Sequence, residues 1–256
     1  MKNYILWSLW IFLVISIGCT QESKVVDRYE QISDSIARDI IKASISHAGG
    51  IEKWESIKQL NYTKDFSLLL PDGKVERSFE QVHEYHYEPL DLLIMSKENG
   101  DMIQTQLKDG KYSRLKNGEP MDIKKEALVK AVNTSTYVIG MPFKLLDPGV
   151  EIVYDGELLL ENNNLVDVIE VSYDPGKNKN HSTADVWKYY FDKDDRKIVG
   201  NWVQTGDHAN IIENLTYERV GGILFNKKRK SWRLDSLGKK THVRADYDYN
   251  NYEVKF

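Results

Sequence analysis

The segment H-E-Y-H at 83–86 carries residue types that bind zinc. A zinc-protease helix places two histidines four residues apart on one face, with a glutamate between them as the base. Here His83 and His86 are three apart, and the surrounding residues alternate with the period of two that is typical of a strand. A strand sends these side chains to opposite faces. We therefore expect His83 among aromatic residues on an inner face, His86 in solvent, and no metal site.

Other reactive residues lack the partners that catalysis needs. His47 closes a predicted helix, where the helix dipole favours a histidine. Asp246 and Asp248 share a strand face; such a pair can bind calcium or cleave a glycosidic bond, but it is more common on the wet face of an edge strand. The run D-K-D-D at 192–195 lacks the glycine and terminal glutamate of an EF-hand, which indicates a hairpin. We predict no catalytic residue and no cofactor, with an envelope hydrolase as the less favoured alternative.

Cys19 is the one cysteine in the chain, and it follows an apolar run. Lys2 precedes that run, which covers the 14 residues 4–17. A membrane-spanning helix needs about 20 apolar residues, whereas a secretory signal needs about 7 to 15. Gly18 directly before Cys19 is similar to the lipobox of bacterial lipoproteins, although Ser16 stands where that motif usually has leucine. The resemblance implies a signal peptide over 1–18, a diacylglyceryl (palmitate-type) group on Cys19 and a tether over 19–26. A plain anchor helix and a secretory signal with an incidental cysteine are the alternatives.

Charge and the residue after the cysteine bear on location and partners. The net charge of −4 argues against nucleic acid as a partner, since binding it calls for a basic face. Thr20 stands where lipoproteins kept in the inner membrane of some bacteria have aspartate. We expect attachment to the outer membrane through the lipid, on its periplasmic or surface face. The basic run N-K-K-R-K at 226–230 is predicted to be a solvated hairpin tip, with a phospholipid-headgroup contact as the alternative.

The rest of the chain reads as one mainly β domain over 27–256. Apolar residues at steps of three and four, Ile32, Ile36, Ile40 and Ala43, predict a helix over 27–47 that ends near Gly49 or Gly50. About a dozen antiparallel strands follow, with period-two alternation and hairpin turns. A helical segment over 122–146 interrupts them; its first part has Asp122 as the expected N-cap, and its second part is irregular and apolar.

This order of elements is similar to that of LolA/LolB-like lipoprotein carriers and of bacterial envelope lipoproteins of unassigned function. The matching segments are the lipobox, the two helical regions, H-A-G-G-I-E-K-W at 47–54 and W-K-Y-Y-F-D-K-D-D-R-K-I-V at 187–199. The resemblance implies an α+β fold that is mainly antiparallel β. Its curved half-barrel sheet would carry an N-terminal helix and a mid-chain helical insert over the concave face, enclosing an apolar pocket. These carriers have no catalytic residues.

Such a pocket can hold a lipid, an acyl chain or another hydrophobic ligand. The apolar part of the insert is either a lid that hinges at Gly140 and Pro142 or a fixed plug. The alternative function is a scaffold lipoprotein with a filled core that docks an envelope protein. Candidate cavity residues are the aromatic and aliphatic side chains of the expected inner face and insert: Phe66, Leu68, Tyr85, Tyr137, Ile139, Met141, Phe143, Trp187, Tyr189, Phe191 and Trp202.

Overall fold

The computed structural model describes residues 28–98, 100–174, 176–177, 186–205 and 208–256. The predicted signal peptide, Cys19 and the tether lie outside these residues. No helix in the described ranges has both the length and the apolar composition needed to cross a bilayer.

A single antiparallel sheet forms most of the domain and confirms the predicted fold class. The chain runs outward through β1 to β6, crosses the sheet in a helix, and returns through β7 to β13, so that β13 pairs with β1. We call β1–β6 the first wing and β7–β13 the second wing. The thirteen strands of the described residues are β1 Gln59–Leu69, β2 Val75–Tyr87, β3 Leu90–Glu98, β4 Asp101–Lys108, β5 Lys111–Lys116, β6 Glu119–Pro120, β7 Val150–Leu159, β8 Leu165–Tyr173, β9 Val186–Asp192, β10 Ile198–Thr205, β11 His208–Val220, β12 Ile223–Leu234 and β13 Lys240–Lys255.

Helix α1, Ser35–His47, packs its apolar face on the core of the domain. Asp34 starts this helix, because its Oδ1 accepts a hydrogen bond from the N–H of Ala37 at 3.0 Å. Its Oδ2 accepts the N–H of Tyr154 on β7 at 2.9 Å, which ties the helix to the strand at one end of the sheet. These backbone donors hold the pKa of Asp34 below its ordinary value.

The C-terminus of α1 is closed by two glycines, as the sequence predicts. The N–H of Gly50 donates to the carbonyl of Ile45, and that of Gly49 donates to Ser46, at 2.9 and 3.1 Å. This is a Schellman motif. Gly49 has φ +123°, and a Cβ there would lie 2.6 Å from the Gly222 carbonyl oxygen, so the close approach of helix and β12 requires glycine. A short helix, α2 Ile51–Glu55, follows.

The structure corrects the predicted N-terminal helix in extent and in face. A short 3-10 helix, Arg28–Gln31, precedes α1, so the segment 27–47 is not one helix. Ile36 is 54% exposed and Ala43 is also exposed. The buried stripe is instead rotated by about one position, to Ala37, Ile40, Ile41, Ser44 and Ile45.

The mid-chain insert also differs from its prediction in detail. Helix α3, Lys125–Ile139, covers most of the predicted helical segment 122–146 without a break. Lys124, not Asp122, is its N-cap, and no side chain caps it. A 3-10 helix, Phe143–Leu146, completes the insert and buries Phe143, Leu145 and Leu146.

Two predictions about the second wing are wrong. The basic run 226–230 lies inside β12, between its neighbours β11 and β13, and is not a hairpin tip. Asp246 and Asp248 lie on β13, at the middle of the sheet rather than at an edge. They pair across strands with Lys230 at 3.8 Å and Lys228 at 3.4 Å on the convex face. The run 192–195 is the predicted hairpin, in which Asp192 Oδ1 accepts the N–H of Asp194.

Candidate ligand-binding cavities

Helix α3 lies against β4 and β5, and open space remains on both sides of it. One space, of about 560 Å³, has walls from both wings and carries four cations and one acid; we call it the basic cavity. The other, also about 560 Å³, lies between α3, the start of β1 and the turn into β3; we call it the acidic cavity. The charged lining residues are Lys64, Arg114, Lys130, Arg229 and Glu98 in the basic cavity, and Glu55, Glu88, Asp147 and Lys144 in the acidic cavity.

A buried hydroxyl network joins α3 to the first wing. The Tyr62 hydroxyl lies 3.0 Å from the Tyr85 hydroxyl and 3.1 Å from His83 Nδ1. Ser135 on α3 hydrogen-bonds the Tyr85 hydroxyl and lies 3.3 Å from His83 Nδ1. These polar atoms lie beneath the helix, where each finds a partner and so avoids the cost of an unsatisfied buried group. The contact fixes one side of α3 to β1 and β2.

The opposite side of α3 is fixed to the second wing. Tyr137 lies two residues beyond Ser135, and its hydroxyl accepts hydrogen bonds from Tyr173 on β8 at 2.9 Å and from Tyr189 on β9 at 2.8 Å. Burial raises the pKa of all three phenols, which keeps them neutral. Contacts on both sides of the helix, together with the buried residues that follow it, favour a fixed plug over a hinged lid.

His83 is placed where the sequence predicts, with His86 exposed on the other face. Burial, reinforced by the positive charge of Lys64, lowers the pKa of His83 to about 3. The same burial raises the pKa of Tyr85 to about 12. The cluster is therefore neutral at physiological pH.

The structure distributes the predicted cavity residues over several environments. Phe66 and Trp187 line the basic cavity, and Tyr137 lines the acidic one. Met141, Trp187 and Tyr189 border a narrow space of about 40 Å³ beside the end of α3. Tyr85, Ile139, Phe143 and Phe191 are buried core residues outside the lining of these spaces, and Leu68 is half-buried on β1 beyond Phe66.

The prediction that Trp202 lines the cavity is wrong, because its side chain lies on the convex face of the sheet. It pairs across strands with Lys188, whereas its neighbours Asn201 and Val203 pair with Tyr189 and Trp187 on the concave side. Trp202 packs beside a small outer cluster of Val166, Val168 and Tyr190. A register shift between Ile198 and Gly200 decides this orientation, and simple alternation cannot show such a shift.

The cations that line the basic cavity were not predicted from the sequence. Lys64 stands between Tyr62 and Phe66 at steps of two, so a charged residue on an otherwise aromatic strand face was the available signal. Arg229 lies in the basic run that was interpreted as a turn. Ser135 carries no signal beyond its helical position.

Comparison with known proteins identifies a similar fold but no family. No protein-family profile and no curated protein matches the sequence. Among solved structures, a DUF1329 family protein from Desulfovibrio piger is 11% identical, with 85% of this chain and 92% of that chain covered and a TM-score of 0.51. A LolA superfamily protein from Nitrosomonas europaea is 8% identical over 86% and 94% of the two chains, with a TM-score of 0.49. The Mycobacterium tuberculosis lipoprotein LppX is 10% identical over 84% and 94%, with a TM-score of 0.30.

The predicted antiparallel sheet with an N-terminal helix and a mid-chain helix is confirmed, and the DUF1329 family protein shares this fold. At these identities the likeness concerns the fold alone.

Replacing Tyr137 with phenylalanine should loosen the attachment of α3 to the second wing. The Tyr189 hydroxyl loses the acceptor at 2.8 Å, and we expect a loss of about 1 to 3 kcal/mol in the free energy of unfolding. Tyr112→Phe is the matched control, because the Tyr112 hydroxyl makes no hydrogen bond within the described residues; its effect should stay within about 0.5 kcal/mol. Urea denaturation measures both, and equal effects would contradict the role of Tyr137.

The stability of the protein should fall as the pH drops, through His83. Its pKa is 6.5 when unfolded and about 3 when folded, so below pH 6.5 protons favour the unfolded chain and stability is lost progressively toward pH 3. From pH 7.5 to pH 5 this amounts to about 2 kcal/mol.

His83→Gln should remove that part of the pH dependence, whereas His86→Gln, which changes an exposed histidine on the same strand, should keep it. The free energy of unfolding of each variant is measured at pH 7.5 and at pH 5. If His83→Gln lost as much stability between these pH values as wild type, groups other than His83 would be responsible for the pH dependence.

Proposed function

We propose that this protein is a lipid-anchored, non-enzymatic lipoprotein of the bacterial cell envelope that holds a hydrophobic ligand in the concave side of its sheet. The observation that carries the proposal is the open volume of about 560 Å³ between α3 and the sheet. Ligand sites typically measure about 300 to 1,000 Å³. This volume supports a ligand site rather than the filled interior that the scaffold alternative requires.

The lining of the basic cavity is suited to a ligand with a long apolar part. Tyr62, Phe66, Tyr247 and Tyr249 cover the strands β1 and β13, and Trp187 borders the cavity from the second wing. Aromatic side chains of this kind present large apolar surfaces with occasional hydrogen-bonding groups. Because α3 is fixed on both sides, the cavity is preformed and its ligand pays little for reorganising the protein.

The surroundings of His83 support a role without catalysis. Ser135 is near enough to His83 to suggest a serine–histidine pair, but the other ring nitrogen lies 3.4 Å from the Gln81 side-chain oxygen, where a catalytic pair has a carboxylate. A general base must also accept a proton, and the pKa of about 3 opposes that. We propose that this cluster positions the helix.

The proposed anchor is a diacylglyceryl group on Cys19 after removal of 1–18, with the protein on the outer membrane. The apolar run and the Gly18–Cys19 junction support it. Stable anchoring takes more than one acyl chain, which such a modification supplies.

Blocking the basic cavity should remove the ligand from the protein. Ala131 on α3 lines this cavity, and Ala131→Trp fills part of it. The control is Glu126→Trp, which places tryptophan at an exposed position of the same helix outside the cavity lining. Full-length wild type and both variants are purified from bacterial membranes, and their organic extracts are compared by mass spectrometry. We expect a co-purifying amphiphile with wild type and Glu126→Trp and at least a severalfold loss with Ala131→Trp; equal recovery from all three would refute the cavity as its site.

The lipid on Cys19 can be tested separately. Cells fed a clickable palmitate analogue should label the wild-type chain and the Thr20→Ala control, whereas Cys19→Ala should stay unlabelled and keep its signal peptide. In-gel fluorescence reports the label and intact mass reports the processing. Labelled Cys19→Ala, or unlabelled wild type, would contradict the proposed anchor.

A further inference from the structure

We infer that the ligand of the basic cavity is an anionic amphiphile, with a carboxylate or phosphate head held between Lys64 and Arg229. This inference rests on the proposed function and adds to it the chemical class of the ligand and the position of its head. The charges of the cavity and their pairing carry the inference.

Lys64 and Arg229 approach the same aromatic ring from two strands. Tyr247 lies on β13, between β1 and β12, and it pairs across strands with Arg229. Lys64 Nζ lies 5.4 Å from the centroid of the Tyr247 ring, and Arg229 Cζ lies 6.0 Å from it. The two cations therefore flank one ring on the concave face, where a single acidic head can reach both.

Neither cation has a carboxylate partner in the described part of the chain. Arg229 Nε donates to Asn214 Oδ1 at 2.8 Å, a neutral acceptor. Within the described residues Lys64 has no ion pair, and its Nζ lies 5.1 Å from the ring centroid of Phe66 and 6.0 Å from that of Tyr249, besides Tyr247. A partly buried cation without a counter-ion is costly, and pairing with a bound anion would offset that cost.

The neighbours of Arg229 on the same strand show the contrast. Lys228 and Lys230 point to the convex face, and each forms an ion pair with an aspartate of β13. The aspartates of β13 thus form ion pairs on the convex side, while Tyr247 and Tyr249 face the concave side. Of these three neighbouring cations of β12, the two on the convex face are paired with carboxylates, whereas Arg229, which lines the cavity, is not paired with one within the described ranges.

The remaining charges make the cavity as a whole positive. Arg114 Nε donates to Thr105 Oγ1 at 2.7 Å, and Lys130 extends from α3. Glu98 is the single acid of the lining, and Arg77 lies 3.7 Å from it. The acidic cavity has the opposite charge balance, with three carboxylates and one lysine. Electrostatic attraction therefore favours binding of an anionic head in the basic cavity.

The apolar part of the same lining fixes where a chain would run. Phe66, Ile94, Ile103, Val138 and Trp187 share the cavity with the cations. A head on Lys64 and Arg229 leaves these surfaces for an acyl chain. A purely apolar ligand would leave both cations without a partner.

The test uses photo-crosslinking on isolated, ATP-depleted bacterial membranes that contain the full-length lipidated chain. Four probes share one C16 chain with a diazirine and an alkyne, and they differ only in the head: carboxylate, phosphate monoester, alcohol or primary amine. Crosslinked peptides are mapped by mass spectrometry. We expect both anionic probes, or one of them, to label cavity peptides roughly tenfold more than the alcohol, and the amine to label least. Stronger labelling by the carboxylate probe would indicate a fatty acid as the ligand, and stronger labelling by the phosphate probe would indicate a phospholipid-like ligand.

Lys64→Met and Arg229→Met should each lower labelling by the anionic probes roughly tenfold and leave labelling by the alcohol unchanged. Lys228→Met is the matched control, because it removes a cation of β12 on the convex face and should not alter any labelling. Thermal melting of each variant in the membrane checks that it is folded.

Equal labelling of the cavity by all four probes would overturn the inference and leave the proposed function standing. Labelling of cavity peptides by none of the probes would overturn both.

Discussion

The architecture depends on one helix being held from both sides. On an α-helix, residues two apart point in directions that differ by about 200°, so Ser135 and Tyr137 face opposite wings of the sheet. Ser135 bonds to Tyr85 in the first wing, and Tyr137 accepts from Tyr173 and Tyr189 in the second. A helix secured in this way neither swings out nor sinks onto the sheet. The two spaces beside it, and their separate charge character, follow from that position.

The two faces of the sheet also differ in the side chains that they carry. Along β13, tyrosines turn to the concave side while aspartates pair with lysines of β12 on the convex side. Tyr247 and Tyr249 of β13 suit the concave side, because a phenol offers apolar surface to a ligand or the core and a hydroxyl to its neighbours. The same period of two that forms the strand thus separates an ionic exterior from an aromatic interior.

How much of this the sequence predicts depends on the range of the interactions involved. The strands, the two helical regions and the orientation of His83 follow from local periodicity and were predicted, whereas the curved half-barrel was implied by the resemblance to lipoprotein carriers. The orientation of Trp202, the central position of β13 and the inclusion of Arg229 in β12 depend on register shifts and on pairing between distant segments. Local patterns do not contain that information. Lys64 was overlooked for a different reason, because a single charge in an aromatic strand is usually assigned to solvent.

Asp34 has a consequence beyond starting a helix. Strand β7 ends the sheet, and its backbone would otherwise offer a template to which a strand of another chain could add. The second oxygen of Asp34 occupies the N–H of Tyr154 in the middle of that strand. An incoming chain would have to displace a carboxylate and detach α1 before it could form a continuous ladder. The residue that begins α1 therefore also protects this border of the molecule against edge-to-edge aggregation.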